Sequence, residues 1–558
     1  MLDRAIAARG SRLMLSCALM AAAASSHAAR PRIYAITGAT IAASPGRTLE
    51  GATVVFREGL IEAVGTGVKV PADAVAIDGR GLFVYPGLID AGGWSPASEP
   101  APAAGERSRG ARAATAPEAG PLHALPLVRP ERRASDALLP FDGDRRRDAE
   151  SWRKLGFTAL LAAPTKGVFR GSSALVLLAD DTPVRDLIVK EQVAQHVAFE
   201  TLSFGEGYPT SVMGAAAAIR QTLLDAQRHA AWVERWEKNP AGMPRPERSP
   251  AWEALGPVLA RTQPMFLDAQ APEDVLLADR IAREFSITLV PVGSGAEGEL
   301  ADQVARTGRT IVLPARFPDK PKVDDPDEAL DASLRELRRY VDAPAVAKTL
   351  RDAGMTIVLS AHGLKNTADF TGNVRKMIDA GLPRDAAVEA LTAAPAKLLS
   401  VDRVMGTIEP GKIANLVVAD GPLFAKDTKI RRVFVDGTDY PVEERAKPAG
   451  DPNAVVDPRG TWSVSFEAGG QTIQRTWTIA GEKGAYTGTA ETRSGTVTFD
   501  AVALVGNALT VTFPAAEGRG SNEVTVIVAG DTFEGSMEIG PRTTPVKGTR
   551  TRGPEGGR

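Results

Sequence analysis

The stretch VYPGLIDAGGW, from Val84 to Trp94, separates two kinds of strand pattern. Before it, residues 33–89 read as short strands bounded by Gly, Pro or Asp, which is typical of strands joined by tight turns. After it, from about Gly156, continuous apolar strands alternate with helical segments. Such strands with helical crossovers indicate a parallel sheet covered on both faces, hence an α/β barrel or a doubly wound sheet.

A second stretch, PAKLLSVDRVMGTIEPGKIANLVVADGPLF from Pro395 to Phe424, marks the return to short strands. Two short-stranded flanks around one α/β region predict a composite β side domain from residues 33–89 and 405–446, with the barrel at 90–404. Residues 447–458 are rich in Pro, Asp and Ala and predict a linker. Residues 459–553 alternate as β-strands and predict a C-terminal all-β domain, a small sandwich or open barrel.

The composition restricts the classes of function. The 558 residues are 44% hydrophobic and 24% charged, which is ordinary for a globular protein. Lys plus Arg (66) and Asp plus Glu (68) nearly cancel, so nucleic-acid binding is not expected. A single cysteine, Cys17, excludes a disulfide scaffold and a thiolate zinc site.

The N-terminus predicts export. Arginines precede the apolar run Leu13–Ala24, and Ser26-His27-Ala28 supplies the small residues of a signal-peptidase site. The run is shorter than the roughly 20 apolar residues that a membrane-spanning helix needs. Residues 1–28 are therefore interpreted as a signal peptide, which predicts a periplasmic or extracellular protein without a membrane span. Ser95–Arg133 lacks periodicity and predicts a mobile, low-complexity loop.

The two quoted stretches resemble the two ends of the barrel region in the metal-dependent amidohydrolase superfamily, most closely its imidazolonepropionase-like branch. In that family the first stretch reads PGLIDxHxH and the second contains GxIxxGKxADLVV. The resemblance covers roughly Ile33–Tyr440. It implies a (β/α)8 TIM-type barrel with a composite β-sandwich side domain, a site at the C-terminal ends of the strands, and hydrolysis of non-peptide C–N bonds in amides or cyclic amides.

The resemblance also implies a divalent ion, usually zinc, bound by a first-strand pair of histidines, two further histidines and an aspartate. Such an ion lowers the pKa of its bound water. Here Gly92 and Trp94 occupy the positions of the pair, and neither side chain can bind a cation. We therefore expect no cofactor, and zinc or another divalent metal only at an altered site.

Five residues are candidates for a remaining site. His362 and Asp268 are the catalytic candidates, since each follows or ends a predicted strand, although His362 could instead cap a loop backbone group. Asp90 also lies at a strand end, where two carboxylates could do acid–base chemistry or hold a cation, or where Asp90 could bond its own turn. Arg170 and Ser172, in the stretch FRGSSALV, could cradle an anion or form a turn.

The other histidines of the predicted mature chain are interpreted as structural or solvated. His123 lies in the predicted loop, and His196 lies in a segment without an assigned element. His229 lies four residues after Asp225 on a predicted helix, which is typical of a surface pair.

Two functions remain open from the sequence. One is an exported hydrolase of the amidohydrolase family that works through an altered site with His362 and Asp268. The other is a non-catalytic binding or scaffold protein of the cell envelope that keeps the fold and acts through its pocket, its loop or its C-terminal β domain. A small amide-type ligand in the barrel mouth is the expected partner.

Overall fold

The computed structural model describes residues 33–94, 123–138, 143–180, 182–203, 205, 207–323, 326–364, 366–442, 450–468, 471–482, 484–492, 495–514, 521–539 and 542–553. The predicted signal peptide, most of the predicted loop 95–133 and the start of the predicted linker lie outside these ranges.

The strands follow one another in four groups. The first group is β1 (Ile33–Ser44), β2 (Arg47–Arg57), β3 (Leu60–Gly65), β4 (Val75–Asp78) and β5 (Phe83–Pro86). The second is β6 (Leu88–Trp94), β7 (Phe157–Ala162), β8 (Phe169–Ser172), β9 (Ala174–Leu177), β10 (Ile188–Lys190), β11 (Gln195–Ala198), β12 (Met265–Asp268), β13 (Leu289–Val292), β14 (Ile311–Pro314) and β15 (Ile357–Ser360). The third is β16 (Leu416–Ala419), β17 (Ile430–Val435) and β18 (Thr438–Pro441). The fourth is β19 (Gly460–Ala468), β20 (Gln471–Glu482), β21 (Ala485–Thr492), β22 (Gly495–Thr498), β23 (Ala501–Val505), β24 (Ala508–Pro514), β25 (Ser521–Ala529), β26 (Thr532–Ile539) and β27 (Arg542–Arg552).

The helices all belong to the second group's region. They are α1 (Ala134–Ala137), α2 (Gly143–Lys154), α3 (Val184–Leu187), α4 (Val212–Lys238), α5 (Pro250–Glu253), α6 (Gly256–Leu259), α7 (Pro272–Glu284), α8 (Ala301–Ala305), α9 (Pro326–Ala329), α10 (Leu334–Asp342), α11 (Val346–Asp352), α12 (Asp369–Asp379), α13 (Arg384–Glu389) and α14 (Ala393–Leu398). Short 3-10 helices cover Glu297–Leu300 and Ala343–Ala345. None of the helices in the described ranges is long and apolar enough to cross a membrane.

The side domain is one sheet to which both flanks contribute. Its eight strands run β18-β17-β16-β5-β1-β2-β3, with β4 paired to β1, and the flanks meet where β5 pairs with β16. Bulges in the β1–β2 ladder let the sheet bend around a core that contains the packed rings of Tyr34, Phe56 and Phe434. The predicted sandwich of two facing sheets is therefore wrong in this respect, because the hydrogen bonding is continuous.

The central region is a TIM-barrel-like domain. β6 and β7 pair in parallel, and β11 to β15 pair in parallel in chain order. Their residues are apolar and buried on both faces, as in the strand FTALLA of β7. β15 lies beside β6, since Asp90 accepts hydrogen bonds from the Ser360 hydroxyl and the Ala361 amide, and this contact closes the barrel.

One position departs from the predicted regular (β/α)8 repeat. β8 pairs antiparallel with β11, and β9 pairs antiparallel with β7, so the two segments form one bent strand interrupted at Ser173. The connection from β7 to β8 spans only residues 163–168. A parallel neighbour needs a crossover of about a dozen residues or more, so this strand can only return antiparallel.

The end of the predicted loop is held against this bent strand. Val128 is fully buried and forms a parallel bridge with Phe169, and the Arg132 carbonyl accepts a hydrogen bond from the Ser172 amide at 2.8 Å. Within the described residues 123–133 the prediction of a mobile loop is therefore wrong.

The C-terminal domain is a closed antiparallel barrel. Its strands run β20-β19-β27-β26-β25-β24-β23-β21-β22, and a further pairing of β20 with β21 completes the ring. The prediction of a sandwich or open barrel is wrong here, because the first and last strands of the domain also pair with each other. Closure removes the exposed strand edges that an open sheet would leave.

The interior of this barrel is packed around Trp462. Its indole is fully buried, donates to the Pro458 carbonyl at 2.9 Å, and lies 4.5 Å from the Arg550 guanidinium carbon. Arg550 also donates to the carbonyls of Asp457 and Arg459. These bonds fix the described end of the predicted linker 447–458 to the barrel.

Candidate functional site

Four of the five candidate residues lie at the end of the barrel where the parallel strands have their carboxyl ends. Asp90 is on β6, Arg170 is on the bent strand at β8, Asp268 ends β12, and His362 follows β15 by two residues. Barrel closure brings them together from positions far apart in the chain. We call Arg170, Glu200, Asp268 and His362 the mouth cluster.

Asp90 joins the first and last strands of the barrel. One carboxylate oxygen accepts from the Gly92 amide at 2.7 Å and the Ser360 hydroxyl at 2.8 Å, and the other accepts from the Ala361 amide at 2.7 Å. Burial raises the pKa of Asp90, while these three hydrogen bonds and His362 oppose the rise. Since its oxygens are used inside the protein, Asp90 is a structural tie between strands rather than a ligand-binding group.

Arg170 and Asp268 form a buried ion pair at the centre of the mouth cluster. The guanidinium bonds one oxygen of Asp268, donates to the Gly167 carbonyl at 3.3 Å, and lies 3.6 Å from Glu200. Glu200 in turn accepts from the Gly167 amide at 2.8 Å. The arginine is therefore fully engaged by protein groups, and its role is to hold Asp268 in place.

His362 presents its second ring nitrogen to Asp268. The Nδ1 atom lies 3.1 Å from the Gly93 carbonyl, which only accepts, so Nδ1 carries the proton of that hydrogen bond. The Nε2 atom lies 3.9 Å from the other oxygen of Asp268. The side chains of His362 and Asp268 are 24% and 12% exposed, so a ligand can reach both.

Ser172 lies away from this cluster. Its hydroxyl and its amide both donate to the Arg132 carbonyl, at 3.4 Å and 2.8 Å. The amide of Ser173 is likewise used, by the Ala194 carbonyl. Both predictions for FRGSSALV, an anion cradle and a turn, are therefore wrong: the stretch is a paired strand whose amides are occupied and whose arginine bonds a carboxylate.

His196 is the residue near the site that sequence reasoning missed. It lies on β11, is 3% exposed, and packs its ring 5.4 Å from that of Phe266. Its Nε2 atom is buried without a hydrogen-bond partner in the described part of the chain. Burial lowers the pKa of His196 to about 4, with Arg170 and His362 adding to the decrease and Asp268 opposing it. The apolar run around it, VAQHVAF, was the available signal for a buried strand.

The remaining histidines are structural. His229 is buried, its Nε2 lies 2.8 Å from the Glu247 carbonyl, and its ring packs on Trp252, so the predicted surface pair with Asp225 is wrong. His123 accepts through Nδ1 from the Leu125 amide at 3.1 Å.

The described residues do not fit the metal that the superfamily uses. They contain no group of three or more His, Cys, Asp or Glu side chains placed to hold an ion. A Cβ atom added to Gly92 would lie 2.0 Å from the Ser360 Oγ and 2.6 Å from the His362 Cβ, so a histidine has no room there. Trp94 packs its ring against apolar barrel residues, and Asp268 is bound by Arg170.

Comparison with known proteins supports the fold and its family. A model of the amidohydrolase family matches residues 298–439. The chain is 32% identical over 100 residues to amidohydrolase tasK of Hapsidospora irregularis, covering 18% of this chain and 10% of that protein. This chain thus spans about a tenth of that relative's length.

Among solved structures, an amidohydrolase from Thermotoga maritima MSB8 is similar, with a TM-score of 0.58 and 23% identity. The match covers 73% of this chain and 99% of that one. A likeness at this identity shows a shared fold, a TIM-barrel-like domain with additional domains.

Proposed function

We propose that the chain is a hydrolase of the amidohydrolase superfamily that cleaves non-peptide C–N bonds through His362 and Asp268; the family-model match, the curated relative and the shared fold support this. The observation that carries the proposal is the separation of 3.9 Å between the His362 Nε2 and an Asp268 oxygen. A water molecule at about 2.8 Å, an ordinary hydrogen-bond distance, can contact both atoms at once. Both side chains are accessible at the barrel mouth.

The hydrogen bonds around the pair suit a general base. Because Nδ1–H donates to the Gly93 carbonyl, the neutral ring of His362 keeps its lone pair on Nε2. Arg170 fixes Asp268 on the far side, so the carboxylate is held where it attracts the ring once that ring is positively charged.

The proposed step conserves atoms and charge. The water oxygen forms a bond to the amide carbonyl carbon while its proton passes to Nε2 of His362. The C–N bond then breaks, and the nitrogen leaves with the proton that His362 returns. The other proton of the water stays on the carboxyl group, so the products are a carboxylic acid, which then releases its proton to solvent, and an amine. No step requires a metal.

The test is hydrolysis of a panel of amides and cyclic amides by the purified mature chain, with and without a chelator. We expect turnover to survive the chelator, and His362→Gln to lower kcat by about 10²- to 10⁴-fold, the usual worth of a general base. His123→Gln is the matched control and should keep full activity, since His123 lies outside the mouth cluster. Turnover that stops with chelator and returns with zinc would contradict the proposal.

A non-catalytic binding protein is the second candidate. The crowding at Gly92 favours it, because a histidine, the superfamily's usual metal ligand at this position, has no room there. In that case the panel would show binding at the mouth without turnover, and His362→Gln would change affinity alone.

We also propose that the chain is exported after removal of residues 1–28. The basic start, the apolar run and Ser26-His27-Ala28 support this. N-terminal sequencing of the mature protein should begin near Ala29, whereas a diacylated Cys17 would contradict it.

A further inference from the structure

A cavity of about 430 Å³ opens beside the mouth cluster. Its walls come from the segments that follow four neighbouring strands, at Gln270 after β12, Ser294 after β13, Arg316 after β14 and Gly363 after β15. Gly363 directly follows His362, and Gln270 lies two residues after Asp268, so the cavity lies next to the proposed catalytic pair. The volume is in the range of small-molecule binding sites.

Arg316 is a half-buried cation in this wall without a carboxylate. Its Nε and Nη2 atoms donate to the Ser294 carbonyl at 3.4 Å and 3.3 Å, both long bonds. Its Nη1 lies against the backbone of Gly363, where an added Cβ would come within 2.5 Å of it. Within the described residues Arg316 has no ion pair, whereas a half-buried charge in a protein is usually paired.

The other charged side chains that line the cavity are either paired or exposed to solvent. Arg339 lines the same cavity but is paired with Glu299 at 2.7 Å. Asp319, Asp369 and Lys376 also line it, but they are exposed, so solvent and salt screen them. The half-buried, unpaired charge of the cavity is therefore the guanidinium of Arg316.

We propose that Arg316 binds the carboxylate of an anionic amide, such as an N-acyl amino acid, and so places its amide bond at His362. A guanidinium matches a carboxylate with two parallel hydrogen bonds. The side chains of Phe317 and Leu364 supply apolar wall for the acyl or amino-acid side chain. The assignment deepens the proposed hydrolase function and rests on it for the fate of the amide.

The test compares two probes that differ only in charge, N-acetyl-L-leucine and N-acetyl-L-leucinamide, by titration calorimetry with the full mature chain. We expect the parent chain to bind the carboxylate at least tenfold more tightly than the carboxamide. Arg316→Gln should remove that preference, and Arg316→Lys should keep part of it, which guards against a folding defect in the first variant. Arg309→Gln is the matched control, since Arg309 is also half-buried but pairs with Asp279.

Equal affinity for the two probes, no binding of either, or a preference that survives Arg316→Gln would overturn the assignment. A different result would contradict the hydrolase proposal and leave the binding role of Arg316 intact. If N-acetyl-L-leucine binds through Arg316 but neither it nor any amide of the panel is hydrolysed, the binding site stands and the catalytic proposal falls. If neutral amides are hydrolysed as well as anionic ones, the catalytic proposal stands and the role of Arg316 falls.

Discussion

The central barrel places Arg170, Asp268 and His196 inside, whereas the described core of the C-terminal barrel is mainly apolar and packs around Trp462 and Trp477. Arg170 and Asp268 each have an opposite charge beside them, and Asp90 has several hydrogen-bond donors, which offsets the cost of removing these charges from water. In the C-terminal barrel the rings fill the space themselves. A Cβ added to Gly548 would lie 2.2 Å from Phe533. The comparison teaches that one chain holds two kinds of barrel interior, one with paired charges near its mouth and one filled mainly by aromatic and aliphatic side chains.

The largest effect is expected from the apolar barrel. Trp462→Ala should lower the free energy of unfolding of the C-terminal domain by about 4–5 kcal/mol, because a fully buried indole is lost together with its packing on Arg550. The change can be measured by hydrogen exchange of peptides from residues 459–553 at a series of urea concentrations. Peptides of the central barrel should stay protected. Equal loss in both barrels would show that they do not unfold separately.

The buried ion pair should be the next most sensitive feature. Arg170→Met leaves Asp268 and Glu200 without their cation, which should lower the free energy of unfolding of the central barrel by about 3 kcal/mol. The control is Arg57→Met, whose pair with Glu62 is exposed to solvent and is expected to contribute little to stability. Urea unfolding of the two variants makes the comparison, and similar small losses would remove the distinction between the barrels.

At low pH the central barrel should become less stable, because His196 is buried in it as a neutral ring. Burial lowers the pKa of His196 to about 4, while an unfolded histidine titrates near 6.5. Above that pH the ring is neutral in both states. As the pH falls toward 4 only the unfolded state takes up the proton, so the free energy of unfolding decreases, by about 3 kcal/mol in all.

His196→Asn should remove this decrease, measured as the slope of unfolding free energy against pH between 6.5 and 4. Asp90 acts in the opposite sense, because burial raises its pKa and protonation at low pH favours the folded state. The C-terminal domain is the internal control, because residues 459–553 contain no histidine. An unchanged slope in the variant would contradict the burial of a neutral ring.

The smallest effect concerns the crowded first strand. Gly92→Ala should lower the free energy of unfolding by about 1–3 kcal/mol, because the added Cβ atom overlaps Ser360 and His362. Gly372→Ala is the matched control, since Gly372 lies on α12 with nothing within 4 Å of an added Cβ. The free energy of unfolding of that variant should rise by up to about 1 kcal/mol, because alanine has a higher helix propensity than glycine. Thermal unfolding compares them, and a neutral Gly92→Ala would mean that the first strand has room for a larger residue.

Part of the site was predictable and part was not. Asp268 and His362 follow recognisable strands, so their place at the barrel mouth could be predicted from the apolar pattern. β11 could not be predicted in the same way, because Gln195 and His196 interrupt the apolar pattern of its four residues. The partners of Arg170 could not be predicted either, because 98 residues separate it from Asp268.

The sequence by itself determined the resemblance to the amidohydrolase superfamily and the absence of histidine at Gly92 and Trp94, since both depend on residue identity at positions close together in the chain. Only the tertiary structure decided that the bent strand runs antiparallel, that the C-terminal strands close into a ring, and that Arg316 has no carboxylate partner among the described residues. These features depend on which distant segments meet when the barrels close. Such contacts depend on hydrogen-bond geometry and on the space that neighbouring side chains leave. Neither can be predicted from the hydrophobic pattern of a short stretch of sequence.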